Sequence, residues 1–213
     1  MPKRKAQKDG WYSRVFAWAL PKIAGKHSQL IEPWKIKLFS GLRGTVLEIG
    51  PGSGANLRYF PAGIRLIGIE PNPYMHPQLL KEAERLGVRV ELHTGVSEDL
   101  PVEPASVDAV VSSLVLCSVT DLEKTLAETL RVLRPGGKFV FVEHVGAKRG
   151  SLLRLEQDLV RPLWKVVGDG CNPNRDVLEA IEKAGFARVE AESFSVPGPV
   201  VSPHLAGVAY KAG

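Results

Sequence analysis

The sequence predicts an α/β fold with a largely parallel sheet, because five short apolar runs alternate with segments of helical periodicity. The fourth run is apolar almost throughout, which is typical of a parallel strand that is buried on both faces. The runs are rich in β-branched residues and occupy positions 45–49, 65–69, 88–92, 107–115 and 138–145.

Helices are expected between these strands. One should follow the glycine-rich turn at 50–54, and a second should span 73–87 and end at Gly87. A third should begin at a capping box formed by residues 120–123 and should stop at the Pro-Gly-Gly turn at 135–137.

The last third of the chain has a different pattern. A helix is expected over 151–167, and Asn172 with Pro173 is expected to start another that ends at Gly185. Two strands follow, at 187–196 and 205–211, and because no helix separates them they should pair antiparallel. The first of these helices carries leucines at the spacing of a core-facing stripe, namely Leu152, Leu155, Leu159 and Leu163.

Residues 1–42 are expected to form a basic arm with two helices that cap a domain spanning 43–213. This arm carries a net charge of +7 within a total of +5, so the rest of the chain is slightly acidic and a general nucleic-acid-binding body is excluded. Its first helix is aromatic over 11–20 and should be kinked or restarted at Pro21, and its second should run over about 29–39. These helices either pack on the domain or make peripheral contact with a membrane surface.

The composition is that of an ordinary globular protein, with 44% apolar and 24% charged residues among 213. There is no apolar run of 18 residues and therefore no expected membrane span. The two cysteines cannot form a disulfide scaffold, which favours a reducing, cytoplasmic compartment.

The glycine-rich turn carries the clearest chemical signal. Gly50, Gly52 and Gly54 follow the first strand, and Glu70 lies 20 residues after the first of them. Glycines let a backbone turn sharply and approach a ligand closely, and an acid at the end of the second strand can bind both hydroxyls of a ribose. A dinucleotide would also fit this spacing, but Glu48 would repel a pyrophosphate and suits a ligand that bears an ammonium group.

The motifs from residue 44 to residue 145 resemble those of the class I S-adenosylmethionine-dependent methyltransferases, in the same order. Residues 47–54 resemble motif I, residues 97–101 the loop beside the adenine, residues 108–113 the fourth-strand motif and residues 133–137 the turn into the fifth strand. The resemblance implies a Rossmann-like fold with a seven-stranded, mostly parallel sheet, an antiparallel last strand and helices on both faces. It also implies S-adenosyl-L-methionine as methyl donor and S-adenosyl-L-homocysteine as product.

The same resemblance implies roles for individual residues. Glu48 and the loop backbone would hold the methionine moiety, Glu70 the ribose, residues 97–98 the adenine, and residues 113–114 the floor near the sulfonium. The cofactor-binding residues expected in this way are Glu48, Gly50, Pro51, Gly52, Gly54, Asn56, Glu70, Pro71, Asn72, Ser97, Glu98, Ser113 and Leu114.

A narrower resemblance extends to about residue 211. Residues 114–119, 143–145, 169–172 and 203–204 resemble the thiol S-methyltransferase family, also called methyltransferase-like seven. Members methylate small alkyl thiols and associate with endoplasmic reticulum or lipid-droplet membranes through a hydrophobic N-terminal segment. Residues 1–42 depart from that pattern, because they are basic and shorter on apolar residues.

His144 and Asp169 are the candidate catalytic residues. His144 directly follows the fifth strand and either assists deprotonation of a thiol or is structural. Asp169 either orients the acceptor or caps the next helix. Cys117 and Cys171 are expected in a pocket wall or the core. They are 54 positions apart and have no neighbouring histidine pair, so no metal site is expected.

The expected function is methyl transfer to a small-molecule acceptor, with a thiol as the leading candidate. O- or N-methylation of a lipid, quinone or secondary metabolite is the alternative within the class, and a non-catalytic cofactor-binding partner protein is the alternative outside it. A nucleic-acid methyltransferase is disfavoured, because no Asn/Asp-Pro-Pro-aromatic motif follows the fourth strand. The oligomeric state is left open.

Overall fold

The computed structural model describes residues 10–213, apart from the side chains of residues 20–26. The basic stretch expected at 1–8 therefore lies outside the described residues. The described strands are β1 Thr45–Ile49, β2 Arg65–Ile69, β3 Val90–His93, β4 Val107–Ser113, β5 Leu133–His144, β6 Arg188–Ser195 and β7 Pro203–Tyr210. The described α-helices are α1 Trp11–Leu30, α2 Glu32–Phe39, α3 His76–Leu86, α4 Leu122–Val132, α5 Leu152–Val167 and α6 Val177–Lys183.

The seven strands form one sheet in the order β3-β2-β1-β4-β5-β7-β6. Strands β1 to β5 are parallel, whereas β7 runs antiparallel to both β5 and β6. The predicted fold class is thereby confirmed. The carboxyl ends of β1, β4 and β5 meet at one edge of the sheet, and ligands of open parallel sheets bind at such an edge.

Two apolar layers enclose the sheet. Leu47, Val110 and Phe139 face a layer that includes Leu126 of α4 and Ile181 of α6. The alternate residues, such as Val46, Val111 and Val140, face a second layer. Burial on both faces explains why the central strands are largely apolar.

The N-terminal helices belong partly to this second layer. Ile31, Phe39 and Leu42 are fully buried in it, and Trp34 stacks on Phe194 of β6 with ring centroids 3.6 Å apart. The helix does not restart at position 21, since α1 is continuous from Trp11 to Leu30. A proline removes one backbone donor and bends a helix, but it does not have to end it.

Three local predictions were wrong. The glycine turn leads into a single 3-10 turn, Leu57–Tyr59, rather than an α-helix. Asp121, not Thr120, caps α4, and the Thr120 N–H is instead 2.7 Å from Glu98 Oε1. Asn172 does not cap α6, which begins at Val177 after Asp176.

The expected core stripe of α5 is on the surface. Leu152, Leu155, Leu159 and Leu163 are 67–87% exposed, whereas Gln157 is fully buried. Gln157 accepts a hydrogen bond from the Ala147 N–H and donates one to the Val200 carbonyl, both at 2.8 Å. The polar face of α5 therefore attaches it to the domain, and the apolar face is left outside. None of the described helices is long and apolar enough to cross a membrane.

Candidate active site

The loop after β1 requires glycine at two of its positions. Gly50 and Gly54 have left-handed φ values of 62° and 88°. A Cβ atom at Gly50 would lie 2.8 Å from the Val115 side chain, and one at Gly54 would lie 2.9 Å from Leu57. The loop backbone is thereby brought close to the segment that follows β4, as the motif predicted.

Glu70, at the end of β2, is fixed by two backbone donors. Its carboxylate accepts hydrogen bonds from the Gly52 N–H at 2.9 Å and from the Asn72 N–H at 2.8 Å. The Asn72 amide in turn donates to the carbonyl of Ser13 in α1 at 3.1 Å. The predicted ribose-binding acid is therefore held against the glycine loop, and α1 covers its edge.

Glu48 is a buried carboxylate with an incomplete set of partners. Its Oε1 accepts a hydrogen bond from the Asn56 amide at 2.6 Å, while Glu48 Oε2 and Asn56 Oδ1 have no partner among the described residues. Burial raises the pKa of Glu48 to about 7, against the lowering effects of Asn56 and of the Lys35 charge. Two unsatisfied buried acceptors fit an ammonium group, such as that of the methionine moiety of the cofactor.

A cavity of about 920 Å³ lies over the glycine loop. It is bounded by residues 50–56, by residues 113–115 after β4, and by parts of α2 and α3. Seven of the thirteen predicted cofactor residues line it, namely Gly50, Pro51, Gly52, Gly54, Asn56, Ser113 and Leu114.

The predicted adenine residues lie elsewhere in the structure and have structural partners. Ser97 is buried and its hydroxyl is 2.9 Å from that of Thr125. Glu98 accepts hydrogen bonds from the N–H groups of Thr120 and Asp121 at the start of α4. Within the described part of the chain, Pro71, Ser97 and Glu98 are not part of the cavity lining. Their roles toward the cofactor stay predictions.

Glu143 is a functional residue that the sequence interpretation used only as part of a motif. Its buried carboxylate accepts hydrogen bonds from the Ser112 hydroxyl at 2.6 Å and from the N–H groups of Val115 and Leu116. Burial raises its pKa to about 8, as does the negative charge of Cys117. Glu143 thus positions the segment that forms the floor of the cavity, including Leu114 with its left-handed φ of 59°. A glutamate within an otherwise apolar buried strand was the available signal.

Lys35 of α2 was also missed. It lines the cavity, is buried, and donates a hydrogen bond to the Ser28 hydroxyl. Burial lowers the pKa of Lys35 to about 8, although the carboxylates of Glu48 and Glu143 oppose this effect. Its position on a helix with little amphipathic character gave no sequence signal.

Two cysteine thiols and one histidine imidazole lie close together behind the cavity floor. The potential ligand atoms of Cys117, His144 and Cys171 all lie within 4.8 Å of one another, and His144 Nε2 is 3.1 Å from Cys171 Sγ. Separation along the chain does not keep these residues apart, because the ends of β4 and β5 and the loop after α5 converge at one edge of the sheet. The two cysteines are free thiols.

The electrostatics of this cluster favour a charged pair. A hydrogen bond from Cys171 lowers the pKa of Cys117 well below its usual range, although burial opposes this. Burial disfavours the charged form of His144, but the adjacent Cys117 thiolate outweighs burial and raises the pKa of His144. The pKa of Cys171 is raised by its hydrogen bond to Cys117 and by burial.

Residues 47–141 match a family model described as a methyltransferase domain. The chain is 37% identical over 197 residues to human thiol S-methyltransferase TMT1A, which covers 89% of this chain and 80% of the relative. The chain belongs to the thiol S-methyltransferase family. It is an S-adenosylmethionine-dependent methyltransferase, and the alternative of a non-catalytic cofactor-binding protein is not supported.

Solved structures confirm the fold of this methyltransferase. A Haemonchus contortus phosphoethanolamine N-methyltransferase in complex with S-adenosylhomocysteine matches with a TM-score of 0.69 at 19% identity, over 94% of this chain and 58% of the other. The [4+2]-cyclase SpnF matches with a TM-score of 0.74 at 18% identity, over 98% and 97%. Because a cyclase shares this fold, the fold alone does not identify the reaction.

Two further residues of this methyltransferase, His204 and the candidate Asp169, have clear locations. His204 is paired with His144 across β5 and β7, its Nε2 is 3.0 Å from His27 Nε2, and burial lowers its pKa to about 4. Asp169 has a left-handed φ of 51° and lies near Tyr12 of α1, whose pKa is raised by burial and by that carboxylate. Asp169 does not cap the next helix, since Asp176 occupies the N-cap of α6.

Proposed function

We propose that this protein transfers the methyl group of S-adenosylmethionine to the sulfur of a small-molecule thiol. The observation that carries the proposal is the match of 37% identity, over most of both chains, to a thiol S-methyltransferase. The buried His144 beside the cavity floor supports it, because a thiol acceptor needs only a modest positive influence to become a thiolate.

The cofactor supplies an electrophilic methyl group when it is bound. Glu48 and the glycine-loop backbone hold its methionine moiety, and Glu70 binds its ribose. His144 accepts the proton of the acceptor thiol, and the imidazolium so formed stabilises the resulting thiolate. The acceptor sulfur then forms a bond to the methyl carbon as the carbon–sulfonium bond breaks, giving a thioether and S-adenosylhomocysteine. Leu114 and Val115 exclude water from this step.

The proposal is tested by measuring S-adenosylhomocysteine formation with matched thiols, phenols and amines. We expect turnover with thiols, and a rate for His144→Gln that is reduced at least about tenfold at pH 7 but less at pH 9.5, where the thiol ionises unaided. The control is His93→Gln, because His93 is half-buried on β3, its Nε2 lies 3.0 Å from Glu91, and it does not line the cavity. Turnover of phenols or amines without thiols would overturn the acceptor assignment in favour of O- or N-methylation.

We further propose that α1 and α5 make peripheral contact with the cytoplasmic face of a membrane. Trp11 and Trp18 are 77% and 63% exposed, and the Tyr12 hydroxyl donates hydrogen bonds to the Val166 and Val167 carbonyls at 2.6 and 2.9 Å. The aromatic helix is therefore attached to the end of the helix that carries the exposed leucines. An exposed apolar face, on a chain whose first 42 residues carry a net charge of +7 in sequence, fits an anionic lipid surface, and free thiols fit a reducing compartment.

Flotation with vesicles that contain anionic lipid tests this contact. We expect the full chain to float, and the double variant Leu155→Gln with Leu159→Gln to remain in solution, since both residues are exposed and their replacement leaves the core intact. The exposed Glu182→Gln on α6 is the control. Equal flotation of the double variant would exclude α5 from the contact, and flotation independent of anionic lipid would exclude the electrostatic part.

A further inference from the structure

The Cys117–His144–Cys171 cluster has the chemistry of a binding site for a soft metal ion. Thiolate and imidazole ligands select zinc and other thiophilic ions over magnesium and calcium. In a tetrahedral zinc site with bonds of about 2.0–2.3 Å, ligand atoms are separated by about 3.6–3.8 Å. The ligand atoms here lie within 4.8 Å of one another, so a small adjustment brings them to that geometry.

The backbone around the cluster is already fixed. The Asn172 N–H and its side-chain amide both donate to the Cys117 carbonyl, at 2.9 and 3.1 Å, and so join the two segments that carry the cysteines. Arg175 donates to the Leu116 and Val119 carbonyls at 2.6 and 2.7 Å. A site held in this way needs little ordering when an ion binds.

The cluster is shielded from water. The three residues are 2–7% exposed, so their polar atoms are largely removed from water. His144 presents Nε2 to the cluster, 3.1 Å from Cys171 Sγ, and its Nδ1 has no hydrogen-bond partner among the described residues.

We propose that Cys117, His144 and Cys171 bind one Zn²⁺ ion and leave its fourth position open. Within residues 10–213, no further His, Cys, Asp or Glu belongs to the cluster. His204 is nearby, with its ring centroid 6.4 Å from that of His144, but its nitrogens face His27 and Ser202. Three protein ligands with one open position are typical of catalytic rather than structural zinc sites.

The open position is suited to the sulfur of the acceptor, and this part rests on the proposed function. Cys117 Sγ is 3.8 Å from the carbonyl of Leu114, whose residue lines the cavity, so the cluster lies directly behind the cavity floor. A thiol that coordinates the ion loses its proton to solvent, and the ion stabilises the resulting thiolate as a Lewis acid.

Cobalt substitution tests the site without requiring turnover. Full-length protein, freed of metal with a chelator and kept reduced, is titrated with Co²⁺. We expect one equivalent to produce sulfur-to-cobalt charge-transfer and tetrahedral d–d absorption bands that Zn²⁺ abolishes. Cys117→Ser, Cys171→Ser and His144→Gln should each weaken binding at least about tenfold, whereas His93→Gln should not. S-adenosylhomocysteine binding by each variant shows that it is folded.

Three results would overturn the site: no thiolate band, equal affinity in all variants, or a mass 2 Da lower that shows a Cys117–Cys171 disulfide in freshly isolated protein. An acceptor thiol should intensify the charge-transfer band, and an unchanged band would remove the fourth-ligand assignment alone. Metal binding without methylation of any thiol would overturn the proposed function and leave the metal site standing.

Discussion

Glu48 shows how one buried residue links cofactor binding to stability. Its carboxylate lies beneath the glycine loop with Asn56 as its hydrogen-bond donor, and its pKa is raised to about 7 by burial. The unfolded chain has the ordinary value of 4.5. Between these values the folded protein holds a proton that the unfolded chain releases, so folding stability falls as the pH rises through this window.

Glu48→Gln should remove that pH dependence. The pKa of Glu48 is about 7 in the folded protein and 4.5 in the unfolded chain, and each pKa unit corresponds to about 1.4 kcal/mol. The free energy of unfolding of the native protein should therefore fall by about 3 kcal/mol between pH 4 and pH 8. Denaturant unfolding of both proteins without cofactor at pH 5 and pH 8 measures it. We expect the folding stability of the variant, relative to that of the native protein, to be greater at pH 8 than at pH 5. Its affinity for S-adenosylmethionine should fall at least about tenfold. A stability difference that is the same at both pH values would contradict the assignment.

At the residue scale, sequence spacing predicts cofactor-binding residues only near a recognisable turn. Glu48 and Glu70 were predicted because their distances from Gly50 have a direct structural meaning. The cluster of Cys117, His144 and Cys171 was not, because it depends on three segments that meet only when the sheet is assembled.

The helix α5 shows that periodicity predicts which residues share an apolar face, but not whether that face is directed to the core or to solvent. Its leucine spacing predicted a core stripe, and the structure places this stripe in solvent and Gln157 inside. The ion pair between Arg154 and Asp176, with an N–O distance of 2.7 Å, attaches the same polar face. A pattern of alternating apolar and polar residues cannot distinguish a core-facing helix from one that faces a lipid or protein partner.

Replacing the buried Gln157 with an apolar residue should therefore destabilise the protein, whereas replacing an exposed leucine of α5 with a polar residue should not. Gln157→Leu leaves the Ala147 N–H and the Val200 carbonyl unpaired in a buried position and should destabilise the protein by about 2–4 kcal/mol. Leu159→Gln, at an 80% exposed site, should change stability by less than about 0.5 kcal/mol. Unfolding curves of both variants decide this. A larger loss for Leu159→Gln would mean that the leucine face is covered in solution.

At the scale of the whole molecule, the sheet was predicted well because its signals are local. The five parallel strands came from apolar runs, and the antiparallel ending came from two runs without an intervening helix. The strand order β5-β7-β6, and the burial of Ile31 and Phe39 beneath the sheet, could not be predicted in this way. The first depends on the pairing of β5 with β7, whose partner residues are 60–72 positions apart, and the second on contacts between the N-terminal helices and strands much later in the chain.

The insertion of β7 between β5 and β6 has a consequence for the synthesis of the chain. β7 is synthesised after β5 and β6, yet it pairs with both of them and brings His204 opposite His144. Until β7 has left the ribosome, β5 lacks its antiparallel neighbour and β6 lacks the strand with which it pairs. The half of the sheet that carries the glycine loop can form earlier during translation, whereas the half beside His144 must wait for β7.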